Sequence, residues 1–304
     1  MNLHFEKFKK IYSRHEVFLF IIPAIVFYVV FKYKPLYFLQ IAFKDYRITR
    51  PIENSPWIGF QKFQELFSSS DFQQVFMNTI IINFYKLAVG FPLPILLALL
   101  LNELRSERFK RLSQSLLYLP HFISWSVLGG VLYNILSVDQ GLVNSILNFF
   151  GIESIFFMGD PVYFRSVLVG SEVWRNLGWG TILYLAALTR VDTTLYEAAY
   201  VDGATRIQRL FYITIPGISS TIVVLFIIQT GHLLDVGFEQ ILVLGNVMVQ
   251  DVADIIDTYV FRVGLQQGQH SLATAAGLFK TVIAGIMVFG ADRLAKMLGH
   301  RGIL

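Results

Sequence analysis

The sequence predicts an all-α membrane protein that crosses the bilayer six times, and three observations carry that reading. Hydrophobic residues make up 55% of the 304-residue chain and charged residues only 15%, with a mean hydropathy of +0.57. A soluble domain carries roughly a quarter charged residues, so lipid is the solvent this composition suits. Six stretches are apolar over the length that about 30 Å of hydrocarbon demands at about 1.5 Å per residue. Basic residues, finally, are unevenly shared among the segments that connect them. The chain has no cysteine, which excludes disulfides, thiol catalysis and thiolate metal sites.

The first span is expected over 17–31, between Arg14 and Lys32, whose long stems can snorkel outward. Lys7, Lys9, Lys10 and Arg14 before an apolar run also resemble a signal peptide. No small-residue cleavage site follows, and Lys32, Tyr33, Lys34 and Pro35 do, so an uncleaved anchor is expected. The second span, 72–102, is interrupted by Lys86 and bent by Pro92 and Pro94. The third, 112–136, has no formal charge and contains Pro120. The fourth, 164–189, holds Glu172 and Arg175. The fifth, 217–239, runs from the end of a basic segment through Asp235 and Glu239. The sixth, 271–291, contains Lys280 and the small residues Ala273, Ala275, Ala276, Gly277, Ala284 and Gly285, which permit close helix packing. The whole of 1–304 reads as one transmembrane domain, with short outer helices expected near 144–150 and 251–263.

With the N-terminus in the cytoplasm, four short inner segments hold fourteen Lys and Arg residues and the longer outer loops hold eight. That bias places both termini inside a plasma membrane. It also accounts for the formal charge of +4 without nucleic acid.

The inner segment between the fourth and fifth spans, 192–216, is the most patterned part of the chain. Thr194 and Glu197 have the spacing of a capping box that starts a short helix. Gly203 can take positive φ and end it in a tight turn. Thr205 and Gln208 repeat the capping pattern, and Pro216 marks the start of the fifth span. The expected product is a helix-turn-helix knuckle on the inner face. Glu197, Ala198 and Ala199, then Asp202, Gly203 and Ala204, then Pro216, resemble the Glu-Ala-Ala loop of permease subunits of binding-protein-dependent (type I) ABC importers. Ile215 stands where that family often has Leu. The six-span layout extends the resemblance over essentially the whole chain, nearest to the carbohydrate-uptake type.

The resemblance implies a type I importer permease fold and a set of partners. These are a second permease chain that completes a pseudo-twofold pore, two ABC ATPase subunits that grip the knuckles, and an extracellular solute-binding protein. ATP and Mg would belong to the ATPase, and the solute would be a carbohydrate, of oligosaccharide size. This chain has no Gly-x-x-x-x-Gly-Lys-Ser/Thr phosphate loop, no His-Glu-x-x-His metal spacing and no paired catalytic constellation, so no catalytic or metal residue is expected in it.

Charges inside spans are costly and need a reason. Glu172 and Arg175 lie three apart on one helix, where either an internal ion pair or a ligand role would explain them. Trp174, Asn176, Trp179 and Tyr184 stand beside them. Aromatic faces that stack on sugar rings, with amides and carboxylates for hydroxyls, make the mix an oligosaccharide cavity requires. Trp174 fits an interfacial aromatic belt as well. Gln229, His232, Asp235 and Glu239 extend the polar set at the end of the fifth span, where simple exposure to outer water is the other reading. Lys86 and Lys280 are expected to snorkel or to meet acids on neighbouring helices. Asp251, Asp254 and Asp257 recur every third residue, as a solvated face or a docking face for a binding protein. Two rivals stay open on sequence alone. An ABC permease for a non-sugar solute is one, and an ion-coupled secondary transporter using Glu172 and Asp235 is the other.

Overall fold

A computed structural model describes residues 21–234, 237–297, 299 and 302. Lys7, Lys9, Lys10, Arg14, the first four residues of the 17–31 span and Asp235 lie outside the described residues. Among the described residues the regular structure is helical, with a single bridge between Lys44 and Trp57. Ile21–Phe43, Ser70–Asn102, Arg206–Gly231 and His270–Met297 are each long and apolar enough to cross a membrane. A bent pair, Glu107–Phe122 and Trp125–Ile135, forms a broken fifth crossing. The 28-residue helix Pro161–Leu188 has the length of a span and carries the charges Arg165, Glu172 and Arg175. The six expected spans therefore all find a helix or a helix pair.

Four boundaries differ from expectation. The first helix runs on past Phe31 to Phe43, through a π-turn at Val29–Tyr33 that places Pro35 without breaking the rod. Proline has no N–H to give to the carbonyl four residues back, and a widened turn absorbs the loss. The fifth helix likewise begins earlier, at Arg206, and contains a π-turn at Leu210–Thr214 immediately before Pro216. Its Ile215 N–H donates to the Leu210 carbonyl, five residues back. The same helix stops at Gly231 rather than continuing to 239. Glu239 sits in a separate short helix, Phe238–Leu244, that starts after Gly237 at φ +107°, and not on the fifth span. The third span is not straight. Its two pieces meet at 104°, because Pro120 ends the first in a 3₁₀ turn and Ser124 caps the second by accepting the Val127 N–H.

Three buried clusters hold the bundle. Ile82, Leu128, Phe164, Leu168 and Leu244 join the second, third and fourth spans to the Phe238–Leu244 helix. Leu66, Phe72, Ile256, Tyr259 and Leu272 join the second and sixth spans to the short helix Ile256–Phe261. Ala98, Leu99, Tyr184, Leu188 and Ile218 close the end nearest the knuckle. Tyr184, 2% exposed, is a core residue there and not part of a solute path. In the sixth span Ala273, Ala275 and Ala276 are buried as expected, whereas a side chain at Gly277 or Gly285 would meet open space.

The expected acidic face of Asp251, Asp254 and Asp257 is also broken up. Helices Gln250–Ala253 and Ile256–Phe261 are separate. Asp254 accepts from Arg262 at 2.7 Å and Asp257 pairs with Lys280 at 2.6 Å, which leaves only Asp251 of the three exposed. Arg262 also reaches Asp71 at 3.2 Å and so ties the start of the second span to this short helix.

The closest backbone approach in the bundle lies at Gly178. A Cβ there would stand 2.1 Å from the Leu117 carbonyl oxygen, so the fourth span and the Glu107–Tyr118 helix touch main chain to side of main chain. Gly178→Val is expected to lower thermal stability in detergent by about 1–3 kcal/mol through forced separation of these helices. An unchanged unfolding midpoint would show that the contact is slack.

Candidate functional site

Two regions collect the residues singled out from sequence. The first is the knuckle. Helix Thr193–Val201 is capped by Asp192, which accepts the Thr194 N–H at 2.9 Å, so Thr194 is not the cap and Glu197 plays no part in a capping box. That N–H, with the Thr194 side chain second, holds the Asp192 carboxyl below its ordinary range. Glu197 is exposed, and no hydrogen bond or ion pair within the described residues engages it. The helix ends as expected at Gly203, φ +74°, with the Ala204 N–H donating to the Ala199 carbonyl at 2.9 Å. Thr205 and Gln208 then form a complete capping box.

The second helix of the knuckle is the start of the fifth span itself, since Arg206–Gly231 is continuous. The Tyr196 hydroxyl meets Thr214 Oγ1 at 2.9 Å, and the Arg209 guanidinium sits over the Tyr200 ring at 5.9 Å. These contacts brace the first helix against the fifth span. Ala199, Asp202, Gly203, Ala204, Gln208 and Tyr212 line a hollow of about 290 Å³ between them. Tyr200, Val201, Ile207 and Tyr212 are 69–85% exposed around it and form an apolar rim. Pro216 is also exposed, past the π-turn.

The second region is a cavity of about 270 Å³ bounded by the second, fourth and fifth spans. Of the residues expected to line a solute path, Glu172, Asn176, Trp179, Gln229 and His232 line this cavity. Arg175 does not. Its Nε donates to the Ile123 carbonyl at 3.2 Å and its guanidinium lies 5.1 Å from the Trp125 ring, so it secures the break in the third span instead of pairing with Glu172. Pro94, Gly90 and Leu87 supply the apolar part of the wall.

Lys86 is the residue that sequence reasoning undervalued. Its ammonium donates to Gln240 Oε1 at 2.6 Å and stands 3.9 Å from Glu172 Oε2, with the side chain 5% exposed. Gln240 passes the interaction on through Nε2 to the Leu168 carbonyl at 2.7 Å and Ser171 Oγ at 2.8 Å. Glu172 accepts from Asn176 Nδ2 at 2.6 Å. Asn176 Oδ1 in turn lies 3.0 Å from His121 Nδ1, and because an amide oxygen only accepts, that nitrogen is the donor. The His121 ring is stacked on Trp179 at 4.6 Å and 3°. A single polar chain thus runs from the Phe238–Leu244 helix across the second and fourth spans to the third. Lys86 could be suspected from its charge alone. Gln240 and His121 gave no such sign, because nothing local ties them to this wall.

A cavity walled by one cation, one carboxylate, amides and a half-exposed indole suits a polyhydroxylated solute. Among the described residues no group of three or more His, Asp or Glu is placed to hold a metal ion.

Comparison with known proteins agrees with this picture. Residues 90–301 match the family described as binding-protein-dependent transport system inner membrane component. The chain is 44% identical to the polygalacturonan/rhamnogalacturonan transport system permease protein YteP of Bacillus subtilis (strain 168), over 97% of this chain and 92% of that one. It is 42% identical to Protein LplB of the same organism, over 94% and 90%. Among solved structures it resembles a chain of a bacterial ABC transporter involved in the import of the acidic polysaccharide alginate, with TM-score 0.88 and 39% identity over 95% of this chain and 98% of that one. A second structure of an alginate ABC transporter, in complex with an alginate pentasaccharide-bound periplasmic protein, gives 0.89 and 39% over 97% and 99%.

Removing one member of a buried charge pair strands the other. Lys86→Met is therefore expected to destabilise the protein by about 3 kcal/mol, leaving Glu172 without its counter-charge and the Gln240 Oε1 without its donor. Lys86→Met with Glu172→Gln is expected to recover most of that loss, as read by thermal unfolding in detergent. Additive effects of the two substitutions would show that the groups do not interact.

Proposed function

We propose, because this chain belongs to the family of binding-protein-dependent transport system inner membrane components, that it forms half of the membrane pore of an importer for oligosaccharides bearing acidic sugars. Two permease relatives at 44% and 39% identity, described by polygalacturonan or rhamnogalacturonan and by alginate, support the solute class. The single observation that carries the mechanism is the continuity of Arg206–Gly231. One end of this helix is the knuckle; the other brings Gln229 to the cavity, with His232 just beyond. Its 26 residues correspond to about 39 Å at about 1.5 Å per residue. A push on the knuckle is delivered to the cavity wall by one piece of helix, with no loop between to absorb it.

The rest of the assembly follows from that lever. One chain supplies one knuckle and one cavity wall, so a second permease completes the pore. Two ATPase subunits, which hold the ATP and Mg, grip the two knuckles from the cytoplasm, and the chain itself catalyses nothing. A solute-binding protein delivers the oligosaccharide on the outer side. Both termini are cytoplasmic, as the fourteen inner against eight outer basic residues require. The exposed Glu197, freed of any capping duty, and the apolar rim of Tyr200, Val201, Ile207 and Tyr212 form the surface that meets the ATPase. Closure of the ATPases on ATP draws the knuckles together, and the lever opens the cavity outward. Hydrolysis resets it. Coupling is a bias on a two-state bundle, set by how much better the closed ATPase pair fits one state than the other.

The complete importer in proteoliposomes is expected to take up oligogalacturonides or alginate oligosaccharides only with ATP inside, and to continue doing so with a protonophore present. Uptake that follows an ion gradient, or no uptake of any oligosaccharide, would overturn the reading. Glu197→Lys is expected to abolish co-purification of the ATPase while membrane insertion stays intact. Gly203→Val meets no neighbour but forces a β-branched residue to φ +74°, at about 1–2 kcal/mol, and is expected to weaken the same co-purification. Normal ATPase retention by both variants would show that the knuckle is not the docking surface.

A further inference from the structure

The second span carries another buried polar side chain on the cavity wall, and the coupling mechanism makes no use of it. Asn83 lies three residues before Lys86, lines the same cavity and is 1% exposed. Neither its Nδ2 nor its Oδ1 has a hydrogen-bond partner. The other buried side-chain amides among the described residues are all engaged. Asn78 donates to the Asp251 carbonyl and accepts from Arg165. Asn144 donates to the Ser137 and Ile155 carbonyls and accepts the Ile155 N–H. Gln240 accepts from Lys86 and donates to Leu168 and Ser171. Asn83 stands apart from them, and it does so at the wall of the solute cavity.

A buried amide with no partner raises the free energy of the state that contains it, and an apolar side chain of similar shape would remove that penalty. Asparagine at this position makes sense if some other state of the transporter supplies the missing partners. In the present state Lys86 is directed at Gln240 and Glu172 at Asn176, and neither reaches the Asn83 amide. We propose that Asn83 is a specificity-determining contact for the transported sugar, its amide pairing with two adjacent ring hydroxyls when the pathway is loaded. The chemistry of the group selects this ligand. One side of an amide donates and the other accepts, and neighbouring hydroxyls can do both. A carboxylate only accepts and an ammonium only donates, so each would leave one side of Asn83 unpaired.

Both amide atoms are closed to solvent in the present state, so the contact belongs to a state in which the second and fourth spans have moved apart around the solute. The loaded state then gains hydrogen bonds that the empty one lacks, which is the differential affinity a ligand needs to shift a conformational equilibrium. The inference rests on the carbohydrate-import reading.

The test uses the complete importer in proteoliposomes with oligogalacturonides and alginate oligosaccharides as probes. Asn83→Leu is expected to assemble with both partner subunit types, to unfold at or above the wild-type temperature, and to raise the KM for uptake about tenfold. Asn83→Ser, which keeps a donor and acceptor on a shorter arm, is expected to fall between the two and stands in if the leucine variant does not assemble. Wild-type KM in either variant would overturn the proposal. So would loss of permease pairing with unchanged KM in the complexes that form, since that marks a structural contact with the partner chain. A wild-type importer that moves neither probe would fail the carbohydrate reading first, and this inference with it.

Discussion

An ammonium group in the interior of a membrane bundle must find acceptors within the protein, and much of the arrangement around the cavity is the answer to that demand for Lys86. The second span carries the charge, the fourth supplies the carboxylate of Glu172, and the short Phe238–Leu244 helix supplies Gln240. Gly237 matters here for two reasons. Its φ of +107° turns the chain into that short helix, and a Cβ on it would stand 2.7 Å from the Lys86 nitrogen. The fifth span ends early because the chain after it has to fold back and present Gln240 to this lysine. A buried pair of this kind does little for net stability, since desolvation offsets most of the attraction. Its effect is to fix which side chains face the cavity.

The irregular points of the other spans obey the same rule, that backbone in lipid must be satisfied from within. At the break in the third span the Ile123 carbonyl is left over, and Arg175 reaches it from the fourth span. The break in turn carries His121 to Asn176 and Trp179. Pro35 and Pro216 each remove a donor from a long helix, and each is preceded by a π-turn that keeps the helix running. At Pro216 this preserves a continuous helix between knuckle and cavity where a kink would have decoupled them. Thr214 Oγ1 donates to the Arg209 carbonyl at 3.3 Å and meets the Tyr196 hydroxyl, free to donate to it, at 2.9 Å, so the widened turn is also the place where the first knuckle helix is fastened.

The two functional regions differ in how they are built. The knuckle is local: caps at Asp192 and Thr205 and the left-handed turn at Gly203 all come from residues within a few positions of one another. Apolar residues stand exposed around its hollow. The cavity is assembled from distant parts of the chain, with polar groups arranged in one connected series from Gln240 to His121. A connected series of this kind stiffens a wall, and its members move together when the wall moves.

The sequence by itself determined the solvent, the number of crossings, the class of fold and the knuckle, because each of these depends on local pattern. Apolar runs specify spans, and a glycine followed by the Thr205–Gln208 capping spacing specifies the turn of a helix-turn-helix, although the first cap falls at Asp192 and not at Thr194. Five residues of the cavity wall were also legible, since Glu172, Asn176, Trp179, Gln229 and His232 combine membrane depth with polar or aromatic chemistry. Tertiary structure alone decided that Arg175 clamps a break and that Tyr184 packs in a core. It also decided that Asp254 and Asp257 are paired inward, that Lys86 and Asn83 line the cavity, and that Gln240 and His121 hold residues that do. Spacing along one helix says which residues share a face. Which neighbour that face meets depends on where other helices bend and stop, and those points are set by contacts more than fifty residues apart in the chain.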